Sequence, residues 1–325
     1  MNRQNINIAS TDVNHTEKPH IDRFSFSGHE TFPLRVAWLP KAVAAVSQGK
    51  DPFSNPREGM QILGLGKNMV TALQCWSNYF GVIYRRDGRW KVTEFGEIIF
   101  GANGKDPFLE DKRTLWLLHW KASTNSSRSF FAWHWLVNLC QEPEFTMSEA
   151  LEAFQAESDT YSRPLSQTTL RQHLDVFLRT YVASENVADR LPEDMLDSPL
   201  SIIGFIRKLG ECRGERGCDP LFSIDVRRKN SIPNNLFRFC LHDWWNMFVG
   251  HEQTVLFSDV AFGRCSPGRV LRMPEGEIRD RLVFLAQQRP NEFVVLEGAN
   301  QRMIRRHARI GDLNILLPEA YGRAA

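Results

Sequence analysis

Between residues 55 and 101, NPREGMQILGLGKNMVTALQCWSNYFGVIYRRDGRWKVTEFGEIIFG, the hydrophobic spacing passes from helical to alternating and back. Asn55 is suited to cap a first helix, Pro56 to its first position, and Glu58 falls three residues after the cap. Gly64 and Gly66 punctuate a turn. Met69, Val70, Leu73, Trp76 and Phe80 then recur at spacings of three and four, which makes the apolar face of a second helix. The other face carries Lys67, Asn68, Thr71, Gln74 and Asn78, side chains able to bond phosphates or base edges. After Gly81 the chain alternates as a strand, turns at Asp87-Gly88, a hairpin signal, and reaches Thr93, which opens a short closing helix.

Further along, residues 23 to 46 are expected to be helical in their second half, with Val36, Leu39, Val43 and Val46 on one side. Residues 108 to 141 read as helical and rich in tryptophan, split by the loop STNSSRS at 123 to 129. Thr146 caps a helix over 146 to 156 with Glu149 at its third position. Residues 166 to 182 form an amphipathic helix lined by Leu170, Leu174, Phe177 and Tyr181, either a packing helix or a second recognition helix. An acidic stretch with prolines at 186 to 200 suggests a boundary. Beyond it, strands are expected at 221 to 226 and 293 to 296, and helices near 236 to 249, 275 to 288 and 299 to 307. No repeat of fixed period is visible.

The fold class is therefore mainly α with some β (α+β). Four segments are expected: a poorly ordered lead-in at 1 to 22, a winged helix-turn-helix unit at 23 to 105, a helical region at 106 to 190, and a mixed α/β region at 191 to 325.

Composition narrows the class. Of the 325 residues, 42% are hydrophobic and 24% charged, as in a soluble globular protein. No run reaches the roughly 18 apolar residues of a membrane helix, and no signal peptide is visible, so the cytoplasm is the expected compartment. Six cysteines lack zinc-finger spacing; Cys212 and Cys218, in the loop ECRGERGCDP, offer at most half a metal site. The formal charge of +2 hides an asymmetry: residues 141 to 200 hold twelve Asp or Glu against four Arg, and residues 264 to 309 ten Arg against five. Those arginines suit phosphate contacts, or else they pair with the acidic middle of the chain.

A helix, a tight turn, a second helix and a hairpin bearing Arg85, Arg86, Arg89 and Lys91 outline a module that places its second helix in the major groove of DNA. An ordinary helical subdomain or a protein-interaction module has the same outline. Signatures of a nuclease are weak: Glu110-Asp111-Lys112 has the residue types without a matching acidic strand, and His251-Glu252 stands alone. The better candidate is His29-Glu30 with Arg35, which gathers a base, a carboxylate and a phosphate clamp in one short segment. The competing reading makes His29 a structural hydrogen-bonding residue and Glu30 a partner for Arg35.

The segments FSGHETFPLR (26 to 35), LGLGKNMVTALQCW (63 to 76) and SPGRVLRM (266 to 273) together resemble the family known as domain of unknown function 4007, over about residues 24 to 320. Within it the chain is similar to the nickase component of bacterial single-strand DNA phosphorothioation systems, in which sulfur replaces a non-bridging phosphate oxygen. The resemblance implies DNA nicking with a divalent metal, Mg²⁺ or Mn²⁺. It also implies partnership with a cysteine desulfurase, an ATPase and an adenylating ATP pyrophosphatase, in modification and anti-phage defence. A DNA-binding adaptor or a regulator of the modification operon fits the residues equally well.

Overall fold

The computed structural model describes residues 24–126, 129–183, 198–214, 217–298, 301–307 and 309–322. The expected lead-in and most of the proposed boundary at 186 to 200 lie outside them. Helix α1 (Trp38–Ser47) precedes α2 (Pro56–Leu63) and α3 (Lys67–Tyr79), and the hairpin β1 (Ile83–Arg86) and β2 (Arg89–Val92) leads into α4 (Glu94–Phe100). The local chemistry acts as expected. The Asn55 side chain accepts from Arg57 N at 3.0 Å, Gly64 ends α2 in the left-handed region at φ 62°, and Thr93 caps α4 through Gly96 N.

Next come α5 (Lys112–Thr124), which takes in the first residues of the expected loop, and α6 (Phe131–Trp133), which continues as a π-helical turn over His134–Leu139. Strand β3 (Glu144–Thr146), α7 (Met147–Asp159) and α8 (Gln167–Tyr181) lead to β4 (Ile206–Gly214) and β5 (Gly217–Ile224). Then α9 (Asn234–Trp244) runs into a second π-helical turn, Trp245–Val249. It is followed by β6 (Thr254–Leu256), α10 (Phe257–Phe262), α11 (Pro267–Leu271), α12 (Glu275–Gln288), β7 (Phe293–Glu297), β8 (Arg302–Arg306) and α13 (Leu317–Ala320). The helix expected at 299 to 307 is thus β8 over most of its length. Met303 and Ile304 there pair with Leu296 and Val295 of β7, and cross-strand pairing overrides the helical reading of the polar run.

The later part of the chain uses one design twice. The first π-turn ends at Leu139 and the second at Val249; the following strands begin at Glu144 and Thr254, and the next helices at Met147 and Phe257. Each of these boundaries is displaced by 110 residues, as from 139 to 249. In each copy an acid at the third helical position accepts from the backbone N–H that precedes the helix: Glu149 from Thr146 at 2.7 Å, Asp259 from Leu256 at 3.1 Å. Only Thr146 can return the bond, because Leu256 has no side-chain oxygen. Both sheets are antiparallel with the same connectivity, β3-β5-β4 and β6-β8-β7. The sequence showed no such repeat because the copies share capping chemistry and strand placement rather than residue identities.

The buried apolar residues form one cluster that reaches from Phe26 to Ala320. Polar pins fix the packing within it. His119 on α5 donates through Nε2 to the carbonyl of Val270 on α11 at 2.9 Å and accepts at Nδ1 from the Tyr181 hydroxyl of α8 at 2.8 Å. That hydroxyl in turn accepts from Trp133 Nε1 at 2.9 Å. Trp120 Nε1 donates to Asp243 of α9 at 2.7 Å. Among the described residues no helix is long and apolar enough to cross a membrane.

Candidate nucleic-acid interface

Helix α3 leaves the three-residue turn Gly64–Gly66 and buries Val70, Leu73 and Trp76 against the core. The 3.6-residue period then forces Lys67, Asn68 and Thr71 out to solvent, with Gln74 and Asn78 half-buried along the same stripe. The sequence-predicted polar face is therefore exposed in its first half and forms a wall in its second.

In the hairpin, strand alternation sorts the basic residues. Arg86 lies opposite Arg89 and Tyr84 opposite Lys91, so these four share one face. Arg85 lies opposite Trp90 on the other face, where Trp90 packs against Phe53 with ring centroids 5.4 Å apart. All four basic side chains are exposed. Only Arg86, Arg89 and Lys91 make a common cationic surface; Arg85 helps to hold the Asp51 carboxyl below its ordinary range, chiefly alongside hydrogen bonds from Ser54 and Phe53.

The segment around His29 packs against α3. Trp76 Nε1 donates to the Phe32 carbonyl at 2.9 Å. His29 is 3% exposed and lies 3.0 Å, Nε2 to Nδ1, from His173 of α8. His173 Nε2 accepts from Ala132 N, so its proton sits on Nδ1 and is donated to His29. His29 then carries its own proton on Nδ1, a buried atom without a hydrogen-bond partner among the described residues. Burial pushes His29 down to about 4 and His173 well below its ordinary value. Arg35 is also buried, whereas Glu30 is exposed at the tip of the turn, where Glu30 and Thr31 adopt φ of 49° and 64°. The three predicted catalytic residues are thus close in sequence but divided between core and surface. His173 was missed because a histidine between Leu170 and Leu174 reads as one more core position.

Of the two weaker nuclease candidates, Asp111 caps α5 and is bound two-pronged by Arg113. His251 and Glu252 are exposed, and the Glu252 backbone carbonyl accepts from Trp245 Nε1 at 2.7 Å. Cys212 pairs across the ladder with Asp219, and Cys218 with Arg213, which puts the two thiols on opposite faces of the β4–β5 ribbon. They cannot share a metal ion, which corrects the half-site reading. Among the described residues no three His, Cys, Asp or Glu side chains are grouped to hold a metal.

Five of the ten C-terminal arginines are held by the chain itself. Arg281, Arg289 and Arg302 pair with Glu277, Glu319 and Glu297 of their own region rather than with the acidic middle. Arg306 is bound to Asn246 and the Gly250 carbonyl, and Arg272 to the carbonyls of Leu136, Val137 and Cys140. Arg264, Arg279, Arg305 and Arg309 remain exposed.

The two N-terminal motif segments also enclose a cleft of ≈ 240 Å³, with Ser25, Ser27 and Gly28 on one side and Thr71, Gln74, Cys75 and Asn78 on the other. Tyr79, Trp90 and Phe130 complete its lining.

A family model described as a protein of unknown function (DUF4007) matches residues 26–321. The chain belongs to the DUF4007 family. Its fold is similar to that of SspB, in a magnesium-ion-bound crystal structure (TM-score 0.75, 24% identity, 92% of this chain and 88% of that one). A further SspB crystal structure is similar to the same extent (TM-score 0.76, 23% identity, the same coverage). No curated protein matches the chain. All three motifs that suggested the family lie within or at the edge of the matched region, and the first two meet across the cleft.

Proposed function

We propose that this DUF4007 chain is the DNA-docking, nicking component of a bacterial DNA phosphorothioation system. The observation that carries the DNA-binding part is the solvent-open polar stripe of α3, followed in the chain by a hairpin with four exposed cations. In this reading residues 23 to 105 work as a winged helix-turn-helix. Lys67, Asn68, Thr71 and Gln74 meet the groove, Arg86, Arg89 and Lys91 meet phosphates, and Arg85 lies at the edge of the footprint. The likeness of the fold to SspB supports the phosphorothioation setting, with a cysteine desulfurase, an ATPase and an ATP pyrophosphatase as partners.

Nicking would rest on the His29, Glu30 and Arg35 segment. Glu30 is its exposed carboxylate. Mg²⁺ commonly keeps several waters and takes one or two carboxylates, so a site completed by DNA phosphates is compatible with Glu30. A ready-made protein ligand set is not formed among the described residues. The burial of His29 and Arg35 favours the second reading, in which the segment is a structural support and the protein is a DNA-binding adaptor or operon regulator.

Supercoiled plasmid with Mg²⁺ or Mn²⁺ separates the two. Nicked circles formed by the wild type and lost in a folded Glu30→Gln variant are expected for the enzyme. A shifted but intact plasmid, with or without the partner proteins, would establish the adaptor.

A further inference from the structure

We propose that the cleft between α3 and the Ser25–Gly28 segment receives a single unstacked nucleobase from bound DNA. The inference rests on the DNA-binding reading above and deepens it.

A nucleobase is flat and aromatic, with an edge of alternating donors and acceptors. The cleft supplies the complement of each property. The half-buried Trp90 gives aromatic surface for one of its faces, and the buried Tyr79 and Phe130 make the apolar floor. Gln74 and Asn78 give amides, each with two donors and an acceptor, for its edge. A volume of ≈ 240 Å³ admits a base but not a base pair.

Position supports the same occupant. Thr71 and Gln74 belong both to the cleft and to the polar stripe that begins at Lys67. A duplex docked on that stripe therefore lies at the mouth of the cleft. Trp90, which lines it, shares its ribbon face with the exposed Arg85, a cation for the phosphates beside an extruded nucleotide.

The cleft is also preformed. Ser25 N donates to the Ser129 carbonyl at 2.9 Å, and Phe131 N donates to the Ser25 carbonyl at 3.1 Å, which ties one wall to the core. Gly28 has φ +108°, and a Cβ there would lie 3.2 Å from Cys75 Sγ on the other wall. The walls stand as close as a glycine permits.

Extruding a base costs least where it is already mispaired. Duplexes of random flanking sequence, identical except for one central mispair, are compared with their fully paired counterparts at low salt. The mispaired duplex is expected to bind roughly tenfold tighter. In Trp90→Ala and, independently, in the milder Gln74→Ala, the ratio is expected to fall to about one, with circular dichroism confirming the fold. A wild-type ratio of one with clear binding of paired DNA overturns the inference and leaves the DNA-binding reading standing. A ratio that survives both substitutions overturns the cleft as the acceptor. Binding of free nucleoside monophosphates without any mispair preference overturns it in favour of a soluble ligand. Absence of binding to any duplex removes the DNA-binding reading itself.

Discussion

His29 and His173 show how one residue type changes role with burial. Each ring is neutral in the folded chain, and the proton order from Ala132 N through His173 to His29 holds only while both stay so. His29 is lowered to about 4, as are His119 and His242, and His134 to about 3, in each case chiefly by burial. A folded value below the unfolded 6.5 means that the unfolded chain binds more protons as pH falls. Stability from these rings is therefore complete above about pH 6.5 and is lost as the pH drops toward 4. For His29 the shift corresponds to on the order of 3 kcal/mol. The melting temperature is expected to fall steeply over that window, and less steeply in His29→Gln, whose amide can still accept from His173. An unchanged pH slope in the variant would show that His29 is already protonated or exposed.

At the scale of elements, the hairpin presents two different faces. Alternation groups Arg86 and Arg89 on one and leaves Arg85 with Trp90 on the other. Removing one phosphate-binding cation should flatten the plot of log affinity against log salt by about 0.9. Arg86→Ala with Arg89→Ala is thus expected to flatten it by roughly 2 and to weaken binding on all sequences. Arg85→Ala alone should do less. Equal effects from the two faces would place the DNA across the hairpin tip rather than along one face. Helices α7 and α8 belong to the same scale. The cap of α7 was readable at Thr146, because a cap is a local bond between residues three apart, and Ser166 caps α8 in the same way.

At the scale of the whole molecule, the third motif joins the two repeated units. Ser266 caps α11, and Gly268 sits where a Cβ would collide with the Ala261 carbonyl and lie 2.6 Å from Ile278 Cδ1. Arg272, at φ 50°, spends its guanidinium on three carbonyls at the end of the first π-turn, a helix end whose acceptors would otherwise be orphaned. This motif is accordingly a clamp between α10, α11, α12 and the π-turn. Gly268→Ala is expected to destabilise by on the order of 3 kcal/mol, read as a lower denaturant midpoint. A midpoint within error of wild type would mean that α10 and α12 separate freely.

By itself the sequence determined what depends on near neighbours. That includes the α2–turn–α3–hairpin order, its caps, the polar face of α3 and the basic turn, because helix period, strand alternation and capping are all set within a few residues. It also carried enough motif to place the chain in its family. Tertiary structure decided the rest. It buried His29 against a histidine 144 residues away, put Cys212 and Cys218 on opposite faces of a ribbon, and paired Arg281, Arg289 and Arg302 with glutamates of their own region. It also brought Ser25 to Gly28 within reach of α3 and Trp90 to make a cleft. The doubling of the later units appeared only there, since pairing and packing repeat while the side chains do not. Such features depend on which surfaces meet across the core, and no local period records that.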